Sequence, residues 1–520
     1  MSISRRRLIL LAPAAVVLAA CSPQEPRSVV NVRDHGAVGD GDTDDSAAIT
    51  AAAAALGPGS VLHFPGGRYR FAQRNPSSAA AIYIAGISGV GIDFAQDAEI
   101  LMDNVDPRTN TGTSHGVLIR GPASDISLHN VRIRWVAQTQ RSMGDGIRIV
   151  GYPDDLDTAP AGWTGPAAPV RGVTISQCSI TSAPQAGVVM TGVSDIVVTD
   201  LHAEHTRADG LHFNACRNAK VSGHTAVDTG DDGLALVTYF ADEYTFDPAA
   251  ETFAFPELTE WSNADFTIDN VNVSGGRANG MRLAGAHRVV VNGLTVADVQ
   301  HGAAVMIDSS TAGHDVDWEY AASRELRLSG VDAEDCETGI HVLARPATAV
   351  DRRFTDFDVE IADARLSRCT NWSVRVESLS DQPATGVSLT RCTIEATSAA
   401  GGNGGLGLAN TDGVHLGQVA IDHAQAVTTF AAINTGRLTV DDLALTVTQP
   451  TAPEDVAPCA RFENTDAVIN TMAVRWPAAP PPWQPVQLAP AAACDAVSSP
   501  LVVHTVVAEP SFLAGRIITC

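Results

Sequence analysis

Three aspartates stand out by type and spacing. Asp209-Gly210-Leu211-His212-Phe213 returns as Asp232-Gly233-Leu234-Ala235-Leu236, and Asp231 directly precedes the second copy. The offset of about 23 residues, with β-type alternation in the intervening Ala219-Lys220-Val221-Ser222-Gly223-His224, is the period of a chain wound into stacked coils. Residues one coil apart then lie side by side at the ~5 Å strand spacing, which gathers Asp209, Asp231 and Asp232 at one opening. Like charges so placed cannot all ionise cheaply, so at least one carboxyl keeps its proton near neutral pH. A proton held beside ionised carboxylates is the equipment of acid–base chemistry. The competing reading is structural, because Asp-Gly is a common turn and a carboxylate there can cap backbone N–H groups.

The elements that must position these residues are short strands. The phrase Gly-apolar-x-apolar recurs at Gly116, Gly146, Gly187, Gly210, Gly233, Gly280, Gly302, Gly339 and Gly405. A second strand phrase follows most copies, as in Val173-Thr174-Ile175-Ser176, Phe266-Thr267-Ile268-Asp269 and Val289-Val290-Val291-Asn292. Two or three short strands per coil, tight turns and no intervening amphipathic helices predict an all-β, right-handed parallel β-helix over residues 29–475. Longer gaps are excursions from the coils: Tyr152 to Pro169, Thr238 to Ser262, and Ser309 to Arg324. The aromatic Tyr239–Trp261 stretch follows the aspartates directly and either stacks on a ligand or packs on the coil.

In each phrase the apolar residues face the core and x faces out. The outward column reads Arg148, Val189, His212, Ala235, Arg282, Ala304, His341. The residues before each glycine read His115, Asp145, Ala186, Asp209, Asp232, Asn279, His301, Thr338. Together they form one wall of a solvent-facing groove, polar and of mixed charge at its middle, suited to an extended sugar chain. The candidate binding residues are therefore His212, Asn279, Arg282, Asp145, Arg148 and His301.

Before the coils, Gly36–Ile49 is an Asp- and Gly-rich turn leading into a short Ala-rich helix over Ser46–Leu56, ended by Gly57-Pro58-Gly59. Its acidic run lacks the EF-hand spacing, so it reads as a turn and helix cap. The first 21 residues read as an export signal: Ser4-Arg5-Arg6-Arg7 is basic, an apolar run follows, and Leu18-Ala19-Ala20-Cys21 is a lipobox. The expectation is lipid attachment at Cys21, a tether over residues 22–28, and a protein facing outside the cytoplasm. Residues 476–520 are Pro-rich at first and read as a loop over the last coils or a terminal cap. With a net charge of −25, nucleic acid and broad anionic surfaces are excluded as partners. Cys459 with Cys494 or Cys520 is the best disulfide candidate, and no C-x₂-C spacing points to zinc. No metal or other cofactor is expected.

Gly36–Ile49 together with Phe64-Pro65-Gly66-Gly67-Arg68-Tyr69 resembles the N-terminal signature of the pectate-lyase-like β-helix superfamily. Ala208-Asp209-Gly210 followed by Gly230-Asp231-Asp232-Gly233 resembles glycoside hydrolase family 28, the polygalacturonases and their relatives. The resemblance implies three catalytic aspartates, with Asp231 as the acid and Asp209 and Asp232 as the pair that activates water, in an inverting hydrolysis of a polysaccharide. Where that family has Gly-His-Gly and Arg-Ile-Lys, this chain offers Ala278-Asn279-Gly280 and Ala304-Val305-Met306. Either Arg282 replaces the missing basic residues or the sugar is neutral. Two other functions on the same fold stay open. A lyase or epimerase needs a base and commonly calcium, whereas the sole lysine, Lys220, falls outside the outward column. A glycan-binding surface protein needs the groove but not the reaction.

Overall fold

The computed structural model describes residues 28–152, 168–311, 318–345, 351–454, 456–489 and 501–517. The Cys21 lipobox, most of the Tyr152–Pro169 excursion, Cys494 and Cys520 lie outside the described residues. Cys459 itself is a buried thiol whose Sγ donates to the Pro485 carbonyl at 3.1 Å.

Every ladder of the 37-stranded main sheet is parallel, and the chain winds as a right-handed parallel β-helix. Around the aspartates each coil has three strands. Leu211–Asn214 pairs with Leu234–Val237, Arg217–Ser222 with the first half of Asn263–Ser274, and Thr225–Val227 with its second half. The alternation seen in the sequence is the reason. In Leu211–Asn214, Leu211 and Phe213 are fully buried and His212 points out. Phe213 meets Phe266 of the following coil edge-on inside the tube, with ring centroids 5.0 Å apart. Burial of these side chains at roughly 25 cal/mol per Å² supplies the drive, and the parallel ladders satisfy the backbone groups that burial would otherwise orphan.

The recurrent glycine has a steric cause. A Cβ on Gly210 would lie 2.6 Å from the Gly233 carbonyl oxygen, and a Cβ on Gly233 would lie 2.6 Å from that of Gly280. At these two positions the backbones stack too closely for a side chain.

At the N-terminal end the helix Ser46–Ala54 covers the first coils with Ile49 and Ala52 buried. The acidic run before it is used up in turns. Asp40 accepts from the amides of Asp42 and Thr43, Asp44 from Ser46, and Asp45 from Val38 and Gly39. At the other end, Val486–Ala489 and Leu501–Glu509 pair in parallel with the preceding coil. The winding thus continues past residue 476, over an edge-on Trp476–Trp483 pair, and ends in the short helix Ser511–Arg516.

The Thr238–Ser262 excursion folds into its own small sheet of Tyr239–Phe240, Thr252–Phe255 and Thr245–Asp247. Two buried asparagines fasten its base. Asn214 donates to the Val237 carbonyl at 3.0 Å and accepts from the Phe253 amide at 3.0 Å. Asn263 accepts from the Cys216 amide and donates to the Phe213 carbonyl, both at 2.9 Å. Asn263→Ala strands one buried donor and one buried acceptor. It is expected to cost about 2 to 4 kcal/mol, read as a lowered denaturation midpoint with the far-ultraviolet β signal unchanged.

Candidate active site

The coil register assembles the site. Leu211 pairs with Leu234, and Leu234 with Met281, because the Thr238–Ser262 excursion is looped out between them. Asp209, Asp232 and Asn279 thereby occupy one column, joined by ladder bonds from Gly210 N to Asp232 O (2.9 Å) and from Gly233 N to Asn279 O (2.8 Å). The side chains continue the chain of contacts. The Asp232 amide donates to Asp209 Oδ1 at 3.1 Å, while the Asn279 amide (3.1 Å) and Nδ2 (2.8 Å) both donate to Asp232 Oδ1. His212 Nδ1 lies 3.1 Å from Asp209 Oδ2. Asp231 projects from the adjoining turn, which Thr229 Oγ1 braces by donating to the Asp231 carbonyl at 2.8 Å. Beneath the strand start, the buried His224 ring lies 3.1 Å from both the Leu201 and Gly233 carbonyls.

One carboxylate oxygen from each of Asp209, Asp231 and Asp232 lies within 4.8 Å of the others. That is tighter than the roughly 6.5–9.5 Å expected between the acid and base of an inverting glycosidase. The same oxygens form a donor set acceptable to a hard cation. Burial pushes the Asp232 carboxyl up to about 7, with Arg282 pulling it down and Asp209 and Asp231 pushing it further up. Asp231 is raised as well, by burial and then by Asp209, against the pull of Arg141. The cluster therefore carries a proton near neutral pH, as the spacing in the sequence predicts. Arg141 Nη1 donates to Asp231 Oδ2 at 2.9 Å.

The aspartates line a cavity of about 270 Å³. On one flank Arg148 is pinned by Asp145 (2.9 Å) and by Glu251 (2.7 Å), which reaches over from the excursion and also pairs with Arg120. On the other flank Arg282 is held by both oxygens of Asp308 (3.1 and 3.0 Å) and by the Tyr320 hydroxyl. Tyr239, Trp318 and Tyr320 are the tyrosine and tryptophan side chains that line the space, and Trp318 is 51% exposed. The excursion's other aromatics mainly pack on themselves and on the coil, with Phe253 and Phe255 buried among Tyr152, Tyr244, Phe246 and Trp261.

Of the expected binding residues, His212, Arg148 and Arg282 line this cavity, and Asn279 holds Asp232. Asp145 is corrected from a sugar contact to a positioning residue. It is 0% exposed, Ala186 N donates to its Oδ1 at 3.0 Å, and Arg148 and His115 hold its other oxygen. Burial alone would raise its carboxyl, but His115 and Arg148 outweigh that and keep it at about 2. His301 is corrected outright. The ladder pairs Met281 with Val305 and Arg282 with Met306, so Ala303 follows Asn279 in the column and Met306, not Ala304, follows Arg282. His301 is exposed and away from the cavity. The Gly302-Ala303-Ala304-Val305 phrase sits two residues out of register with its neighbours, and pattern alone cannot reveal such a slip. Arg141, Gln185, Glu251, Trp318 and Tyr320 join the site from loops and irregular stretches. None carries a periodic signal. The aromatic content of the excursion was the single hint, and it pointed to Tyr239.

Residues 29–86 match the family model described as Rhamnogalacturonase A/epimerase, pectate lyase-like, which bears out the resemblance of the N-terminal signature. Alpha-1,3-galactosidase A of Peterkaempfera griseoplana is 27% identical over 172 residues, 28% of this chain and 23% of that protein. The match thus spans about a quarter of that relative's length. Among solved structures, the catalytic unit of a GH87 alpha-1,3-glucanase from Streptomyces thermodiastaticus strain HF3-3 is 16% identical with a TM-score of 0.46, over 84% of this chain and 71% of that one. The A-module of the mannuronan C-5 epimerase AlgE6 from Azotobacter vinelandii is 15% identical with a TM-score of 0.44, over 92% and 98%.

The Asp232 carboxyl also links the site to stability. Its pKa rises from the ordinary 3.8 to about 7 on folding, so between those values the folded chain binds a proton that the unfolded chain does not. Stability falls as pH rises through this window. Asp232→Asn removes the loss. The variant is expected to melt several degrees above the wild type at pH 8, with the gap closing towards pH 4, as followed by calorimetry.

Proposed function

We propose that this protein hydrolyses glycosidic bonds in a polysaccharide or oligosaccharide. The observation that carries the reading is the set of three carboxylates, one oxygen of each within 4.8 Å of the others, at least one still protonated near neutral pH, in a polar cavity lined by pinned arginines and by Tyr239, Trp318 and Tyr320. Asp231, the most accessible of the three and itself raised by burial and by Asp209, delivers to the departing oxygen the proton that the cluster shares between it and Asp232, and Asp232 is ionised in the state in which Asp231 holds that proton. Asp209 and Asp232 orient the attacking water. Both are locked by donors from Asp232 N, His212 and Asn279, which favours holding water over becoming a nucleophile. Arg148, Arg282 and His212 offer donors to sugar hydroxyls or a carboxylate, and Tyr239 and Trp318 offer faces for sugar C–H groups.

Asp231→Asn is expected to lower turnover by roughly 10²–10⁴-fold while leaving glycan binding intact, measured by reducing-end release and by calorimetry against a panel of defined polysaccharides. A glycan-binding protein without catalysis would release nothing in either form. The product of this mechanism is the inverted anomer by NMR. Retention would overturn this assignment, because it requires one of the carboxylates to attack the sugar as a nucleophile.

A lyase or epimerase is the runner-up, supported by the cation-compatible oxygens. It fits less well, because Lys220 lies on Arg217–Ser222 outside the cavity and Arg282 is tied to Asp308. Its signature would be loss of activity with a chelator, or an unsaturated product absorbing in the ultraviolet.

The lipobox supports export and anchoring at Cys21. Cys21→Ala is expected to move the protein from the membrane fraction to the soluble fraction of its host. Unchanged fractionation would remove the anchor from this reading.

A further inference from the structure

A second cavity, of about 730 Å³, opens at the corner where successive coils turn into the strands that carry the aspartates. Its walls are the loop holding Gln138, Thr139 and Arg141, the turns holding Arg207 and Gly230, and Arg277. Two polar atoms of these walls are buried without a hydrogen-bond partner: Oγ1 of Thr139, a residue 1% exposed, and Nε of Arg207. The Arg207 guanidinium donates through Nη2 to a neutral group, Gln138 Oε1, at 3.0 Å. Arg277 has no carboxylate partner among the described residues. The carboxylate of the wall, Asp228, lies 3.6 Å from His205. In a chain of net charge −25, two guanidinium groups without carboxylates on one cavity wall form a local positive field.

The cavity also has a defined place relative to the chemistry. Gly230 directly precedes Asp231, and Arg141, which donates to Asp231, lines both cavities. A group bound here lies beside the turn that carries Asp231, and the cavity is open to the departing sugar if Asp231 is the acid. We infer that this cavity holds the leaving-group part of the substrate and takes a sugar bearing an anionic substituent, a carboxylate or a sulfate ester, on Arg207 and Arg277. Planar guanidinium groups suit both anions, because they offer paired N–H donors at the spacing of two oxygens. The inference rests on the hydrolase reading for the roles of the two sides, but the binding itself does not require turnover.

The test uses the full-length protein carrying Asp231→Asn and three matched trisaccharides: a galacturonate trimer, the neutral galactose trimer, and that neutral trimer with one sulfate ester. Calorimetry is expected to show at least one acidic trimer binding tenfold or more tightly than the neutral one, and which one does so separates carboxylate from sulfate. Adding Arg207→Gln and Arg277→Gln together is expected to erase that preference without changing neutral-trimer binding. Arg277→Gln alone, at an exposed position, is expected to weaken the acidic probe at least threefold with an unchanged melting temperature, which guards against misfolding of the double variant. Acidic trimers that bind no better than the neutral one, or a preference that survives both substitutions, would overturn the assignment. Failure of the hydrolase reading shows separately, as absence of product from the wild-type protein.

Discussion

The register of the parallel ladder is the constraint on which the site depends. Gly210 N to Asp232 O and Gly233 N to Asn279 O are ordinary backbone bonds of 2.9 and 2.8 Å, yet they decide which side chains become neighbours. Gly210 and Gly233 make the register tight here, since a Cβ on either would meet the carbonyl oxygen of the next coil at 2.6 Å. Asp209 and Asp232 are thus set side by side by main-chain geometry, and the adjoining turn adds Asp231 to them. Their mutual repulsion is relieved by retaining a proton, and catalysis of the proposed kind needs that proton.

The surrounding charges divide the labour. Asp308 and Tyr320 fix Arg282, and Asp145 with Glu251 fixes Arg148. Each arginine is held at the edge of the cavity by a carboxylate that is itself shielded from solvent, so neither collapses onto the aspartates. Of these three arginines, Arg141 bonds an aspartate of the cluster directly, at Asp231. This selective pairing separates the most accessible carboxyl from the two behind it, and gives chemically similar residues different environments.

The excursions convert a repetitive surface into an individual site. The Thr238–Ser262 insertion brings Glu251 back over earlier coils, and the Phe240 amide bonds the Glu319 carbonyl at 2.7 Å, linking it to the stretch that supplies Trp318 and Tyr320. Walls raised on both sides of the aspartates turn an open groove into a bounded cavity, with the second cavity beyond Arg141.

The sequence by itself determined the coil architecture and the meeting of Asp209, Asp231, Asp232 and Asn279. Strand periodicity and a constant offset are local properties, and stacking converts an offset directly into adjacency. It also placed His212, Arg148 and Arg282 on the cavity wall. Only the tertiary structure decided the rest. The slip after Gly302 removed His301 and put Met306 beside Arg282, because a ladder register is settled by packing over the whole coil. Asp145 became a buried strut once its partners converged on it from three coils. Arg141, Glu251, Trp318 and Arg207 act across sequence separations that no period relates, since loops are placed by what they pack against rather than by any repeat of their own.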